Sequence, residues 1–324
     1  MKRAILIWMV LLCLVLSSCT QTVSPLSAPA TMVPGVDAEL PEAEPPAEMN
    51  RHETSALYFR YMDEPYLAAE YRVVTQAVNK PYEQALISAL ISGPGGHDLT
   101  SLFPAGVKVV STARQGRTLF VTLSKEIMSP YADEVNTTYS TSEAILRRQL
   151  CMQSIVATVT ENCDVDQVQI LVQQDTAMTG SLRLEKRYFL TGESGLTDPF
   201  QRDESLLLTP HNALSVILQL CRQQDWQRLY GYLLRVDESA GVNRPAYADF
   251  VAAMAALPAL TEYASSIGSV ALYGETATFT VDATLRLADG STVDKQNCIL
   301  RLQRESGLWR ISADHLVAWM EVSP

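Results

Sequence analysis

The spacing of apolar and polar positions divides the chain into an unbroken apolar run, a stretch with little to bury, and two patterned blocks. Ala4 to Leu16 is continuously apolar behind Lys2 and Arg3, then closes on Leu16-Ser17-Ser18-Cys19. Such a run is short for a membrane span and has the size of a secretory leader core. Residues 19–54 read as a tether. Pro25, Pro29, Pro34, Pro41, Pro45 and Pro46 block regular structure, and Asp37, Glu39, Glu42, Glu44 and Glu48 repel one another. At the polyproline rise it would reach up to ~100 Å.

The first block, residues 55–192, opens with two strand-like runs, Ala56 to Tyr61 and Tyr71 to Val74. Pro81 starts a helix with Ala85, Leu86, Ala89 and Leu90 at helical spacing, and Ser92-Gly93-Pro94-Gly95-Gly96 stops it. Val107–Val110 and Leu119–Leu123 predict two strands around a turn at Gln115-Gly116. In the long helix after them, Ser140 and Glu143 fit a capping box, and Ile145, Met152, Ile155, Val156 and Val159 form an apolar face. Val168–Val172 is a further strand.

Residues 193–205, with Gly195 and Pro199, read as a linker to a second block, 206–324. Thr209 caps and Pro210 opens a helix of Ala213, Leu214, Ile217, Leu218 and Cys221. Gln223 to Trp226 breaks it, with Asp225 placed to cap the next helix. Tyr247 to Leu257 predicts a third. The period then drops to two. Ala277, Phe279, Val281, Ala283, Leu285 and Leu287 alternate as a half-buried strand requires. Asp289-Gly290 signals a hairpin, Cys298, Leu300 and Leu302 continue the alternation, and Ser306-Gly307 turns into Leu308–Ile311. The fold class expected is α+β, with two blocks that each fold alone.

Several of these patterns resemble known families. The leader with Leu16-Ser17-Ser18-Cys19 resembles the lipobox of bacterial lipoproteins. That implies cleavage after residue 18, lipid on the Cys19 thiol and attachment to the extracytoplasmic face of the cell membrane. The aromatic strand with Tyr58 and Phe59, the helix ending Leu90-Ile91-Ser92-Gly93-Pro94, the turn Leu102-Phe103-Pro104-Ala105-Gly106-Val107 and the run Val165 to Val172 resemble the GerMN domain of sporulation and germination proteins. The resemblance implies a small α/β sandwich similar to ring-building domains. Met128 to Tyr139 departs from it as a longer insert. Three helices followed by a meander of long strands are similar to the NTF2-like fold, helices on a curved antiparallel sheet.

Formal charge is −11, and loss of Lys2 and Arg3 with the leader takes it to −13. No basic cluster offers a footprint for nucleic acid. Of six cysteines, Cys151, Cys163, Cys221 and Cys298 lie outside the leader and lipobox, and without CxxC spacing they read as buried thiols or as disulfide partners. His52, His97, His211 and His315 are scattered, and no HExxH, GxSxG or Walker pattern is present. No catalytic residue, metal site or cofactor is expected. Arg147 and Arg148, adjacent in an acidic chain, are candidates to meet an acidic patch on a neighbour, or else a solvated helix face. Trp226, Tyr230, Phe250 and Trp309 are candidates to line a pocket in the second block, or else its core. The expectation is a non-enzymatic, membrane-anchored module that binds a protein partner or itself. The rival is a ligand-binding or enzymatic lipoprotein using the second block.

Overall fold

The structure, a computed structural model, describes residues 51–324 except 132–133, 135–140, 175–179, 238–240 and 323–324. Cys19, the leader, most of the tether and Ser140 of the expected capping box lie outside the described residues, as does most of the insert.

The aromatic-rich run with Tyr58, Phe59 and Tyr61 lies in β1 (Arg51–Tyr61), which pairs antiparallel with β2 (Leu67–Gln76) from Arg51↔Gln76 to Arg60↔Leu67. The tether expected to run to residue 54 therefore ends by 51. His52 is in a strand, with Nδ1 2.9 Å from Thr75 Oγ1. α1 (Tyr82–Ile91) leads to the short β3 (Leu99–Thr100), which joins β1 only at Arg60 and Tyr61. β4 (Val109–Gln115) and β5 (Thr118–Leu123) form a hairpin across Gly116, whose positive φ suits glycine. α2 (Thr141–Asn162) crosses over to β6 (Gln167–Gln173), which pairs parallel with β5. Beyond the reach of β3, α2 covers the edge of β1. Tyr58 N donates to Thr158 Oγ1 (3.1 Å), and Ala56 N to Asn162 Oδ1 (3.1 Å).

The expected linker is folded into this second sheet. β7 (Ser181–Arg183) and β8 (Phe200–Gln201) both pair with β6. Between them Leu196 bridges Glu185, and Thr197 N donates to Leu184 O (2.9 Å). The chain then passes along β2, where Leu208 N donates to Leu67 O (2.7 Å).

α3 (Pro210–Gln223) starts as expected, with Thr209 Oγ1 accepting from Asn212 N. Asp225 caps α4 (Trp226–Gly231) by accepting from Arg228 N (3.2 Å). A small ladder, β9 (Val236–Asp237) with β10 (Val242–Asn243), precedes α5 (Tyr247–Ala255). The final sheet is antiparallel. β11 (Ala259–Ser265), β13 (Thr276–Arg286), β14 (Thr292–Glu305) and β15 (Leu308–Arg310) lie in that order, and β12 (Ser269–Val270) adds to β13. Register shifts at Leu260/Glu262 and Val281/Ala283 mark bulges, which bend strands. α6 (Ala313–Met320), not foreseen, buries Leu316, Trp319 and Met320. The fold is α+β. Glu48–Pro324 is one compact unit, and a single apolar cluster runs from Ala56 to Met320. No helix among the described residues is long and apolar enough to cross a membrane.

Candidate functional site

Among the described residues a dense polar cluster lies where the two blocks meet. Asp98, in the loop between α1 and β3, accepts at Oδ2 from Arg310 Nη2 (2.5 Å) and Arg235 Nη2 (2.7 Å). Arg310 is almost fully buried. It also donates from Nη1 to Gly231 O (3.1 Å) and Leu233 O (3.2 Å), and its Nε stands 3.2 Å from Glu305 Oε2. Glu305 Oε1 accepts from the backbone of Arg235 and Val236. Nearby, buried Glu64 takes a two-pronged contact from Arg228, 2.9 Å at Nε and 2.6 Å at Nη2. Tyr61 donates to Gly231 O (2.7 Å) and meets Tyr232 edge-on at 5.2 Å. Burial pushes the Tyr61 phenol up to about 12, so it stays a donor at neutral pH.

Of these groups Asp98, Arg235, Glu305 and Arg310 border a cavity of about 620 Å³. Its wall holds Arg72, Arg235 and Arg310 against Glu70, Asp98 and Glu305, with His97 exposed at the rim. Each carboxylate is already engaged. Glu70 Oε2 accepts from Gly95 N and Gly96 N, 2.9 Å each. The arrangement is charge-balanced and acts chemically as a latch between blocks. The contact that locks it sterically is at Ser306-Gly307. Gly307 has φ +86°, and a Cβ there would sit 2.2 Å from Ala69 O of β2.

The residues singled out from sequence fall elsewhere. His97 and Asp98 share the rim, but Asp98 faces the arginines. His211 is exposed in the first turn of α3. His315 Nε2 accepts from Arg301 N (3.2 Å), and burial followed by the Arg301 charge lowers its pKa. Arg148 is a correction. It is 6% exposed, donates to Glu134 (Nη2–Oε2 2.9 Å) and lies over the rings of Tyr131 and Tyr188, so it is not a surface charge. Arg147 rests 4.0 Å over the Tyr131 ring. Hydrogen bonding from Arg148 holds the Glu134 carboxyl below its ordinary range, while burial pushes the neighbouring Cys151 thiol up to about 12.

Tyr230 packs edge-on to Tyr247 (5.2 Å) and tilted against buried Phe250 (5.8 Å), and donates to Pro245 O. Trp226 is half-buried on the core, and Trp309 is buried with Arg304 5.7 Å from its ring. None of the four lines the seam cavity. Nor do they line a groove of about 630 Å³ between α2 and β8, floored by Met152, Phe189, Phe200 and Leu206. Among the described residues Cys151, Cys163, Cys221 and Cys298 form no disulfide. Among the described residues no group of three or more His, Cys, Asp or Glu is placed to hold a metal ion. The seam partners Glu64, Arg228, Arg235 and Arg310 carry no sequence signal, because each pairs with a residue far along the chain.

Residues 56–176 match the family model Germane, described as "Sporulation and spore germination". The chain contains a Germane domain. The matched residues begin within β1 and run past β6, and the seam joins this part to the C-terminal half of the chain. Among solved structures, the chain is similar to a candidate lipoprotein from Clostridium perfringens, at 24% identity over 47% of this chain and 89% of that one, TM-score 0.27. It is similar to the tandem GerMN domains of the sporulation protein GerM from Bacillus subtilis, at 21% identity over 52% of this chain and 51% of that one, TM-score 0.31. The first GerMN domain of that protein aligns at 15% identity over 46% of this chain and 98% of its own, TM-score 0.33. No curated protein matches the chain.

Proposed function

We propose that this chain is a non-enzymatic lipoprotein, held on the outer face of the cell membrane by lipid on Cys19, that serves spore formation or germination as an assembly or interaction module. The observation that carries the reading is the Germane match over residues 56–176. The leader ending in Leu16-Ser17-Ser18-Cys19 supports the anchor. The second half, three helices before an antiparallel sheet, is read as an NTF2-like module that stiffens the Germane domain through the seam. The seam carboxylates are consumed by arginines and backbone N–H groups, which favours a structural use of that polar cluster over acid–base work. The partner is a protein or a further copy of the chain; nucleic acid has no basic surface to meet.

The test is removal of the chain from its source bacterium, followed by complementation. Heat-resistant spore yield or germination rate should fall, recover with the native chain and with His97→Ala, and fail to recover with Cys19→Ala. Unchanged spore yield and germination on removal would refute the process. A Cys19→Ala chain that is processed and stays with the membrane would refute the anchor.

A further inference from the structure

The C-terminal sheet carries an apolar finger. After β11 the chain turns at Ile267-Gly268, pairs briefly as β12 and turns back at Ala271 to Gly274 into β13. Ile267 is 90% exposed, Leu272 92% and Tyr273 85%, with Val270 beside them at 54%. Three large side chains left this bare within seven residues are unlike scattered surface leucines. From Ser266 to Gly274 there is no charged residue.

The finger is held firmly. Ser266 N donates to Thr280 O, Ala271 N to Thr276 O and Gly274 N to Ala271 O, 2.8 Å each. Gly268 has φ +81° and lies so close to the Phe279 ring that a Cβ would come within 2.3 Å of it. Its backbone is thus fixed on β13 while its apolar side chains project from the protein.

We infer that this finger, Ile267 with Leu272 and Tyr273, inserts into the interfacial layer of a neutral lipid bilayer. The inference rests on the anchoring reading, which places the chain at a membrane. Side chains that project singly from a turn fit a deformable apolar medium. Aliphatic groups reach the acyl boundary while tyrosine sits at headgroup level. The absence of charge along the finger removes the chief cost of entry. The acidic body disfavours anionic lipid, hence the neutral surface. Reach is sufficient: some thirty residues separate Cys19 from Arg51, with a contour of about 100 Å. A folded unit of this size has a radius of gyration of only about 19 Å.

The full chain is bound to neutral phosphatidylcholine vesicles and carries a spin label at position 272, from Leu272→Cys. A control label at 289, from Asp289→Cys, marks the exposed turn at the far end of β13. The unaltered chain treated with the same reagent gives the background from native thiols. The label at 272 should be relaxed at least tenfold more by oxygen dissolved in the bilayer than by a water-soluble nickel complex, and the label at 289 the reverse. A vesicle-bound chain whose 272 label behaves like the one at 289 overturns this inference and leaves the anchor standing. A chain that does not stay on vesicles overturns both. Sedimentation without vesicles supplies a further check. Self-association that Leu272→Asp abolishes would assign the finger to a second copy and overturn the bilayer reading.

Discussion

At the scale of single residues, the decisive fact is that an arginine pair read as a docking surface is half interior. Arg148 exchanges its surface role for a buried ion pair with Glu134 and two aromatic faces. Removing one partner of such a pair strands the other charge in a dry site. Arg148→Ala should therefore lower unfolding free energy by about 3 kcal/mol in a denaturant titration, with Arg147→Ala far milder. Glu134 titrates below its usual range, so the stability it supplies is present above that range and is lost as pH falls through the lowered value. His315 acts in the same direction but nearer neutral pH. Its lowered pKa and the Arg301 N–H on Nε2 favour the neutral ring in the folded state. The unfolded chain then takes up the proton first, and stability declines as pH drops below about 6.5. Thermal melts between pH 7.5 and 5 should show that decline, and His315→Gln, which keeps an acceptor, should flatten it.

Elements written in local code were legible. The Thr209-Pro210 start of α3, the Asp225 cap of α4 and the strict alternation of β13 all appear where the residues place them, because capping and strand period need only neighbours in sequence. Asp225→Ala should cost about 1 kcal/mol by denaturant titration. Elements that depend on distant partners were not. β8 is two residues long and exists only because β6 accepts it, which is how a Gly- and Pro-bearing linker became part of a sheet. β11 was missed because its alternation is interrupted by the bulge at Leu260/Glu262. α6 was hidden behind a strand ending, with Ser312 giving it no side-chain cap. The seam was equally invisible: Asp98 was noticed as a neighbour of His97, whereas its partners lie at 235 and 310. The turn into β15 shows how tightly the blocks are fitted. Gly307→Ala would place a methyl against the Ala69 carbonyl at positive φ, and should lower the melting temperature by several degrees while a substitution at Gly290, with open space around it, has a smaller effect.

For the whole molecule, two blocks read from sequence as separate domains share one apolar cluster and a latch of buried charge. Unfolding by heat and by denaturant should then be a single transition, and mild proteolysis should spare residues 193–205 while Asp98→Asn splits or broadens the transition. That rigidity suits the proposed role: a Germane domain stiffened by its C-terminal partner and presented to other proteins at a membrane. The most direct measurement is the size of the native complex. Membranes from spore-forming cells are solubilised in mild detergent and the chain is tracked through native electrophoresis or sedimentation, beside the Cys19→Ala chain. A membrane-derived species clearly larger than a monomer, lost with Cys19→Ala, is expected if the chain works as an anchored assembly module. A native chain recovered from membranes only as a monomer, at every stage of spore formation and germination, would contradict that role.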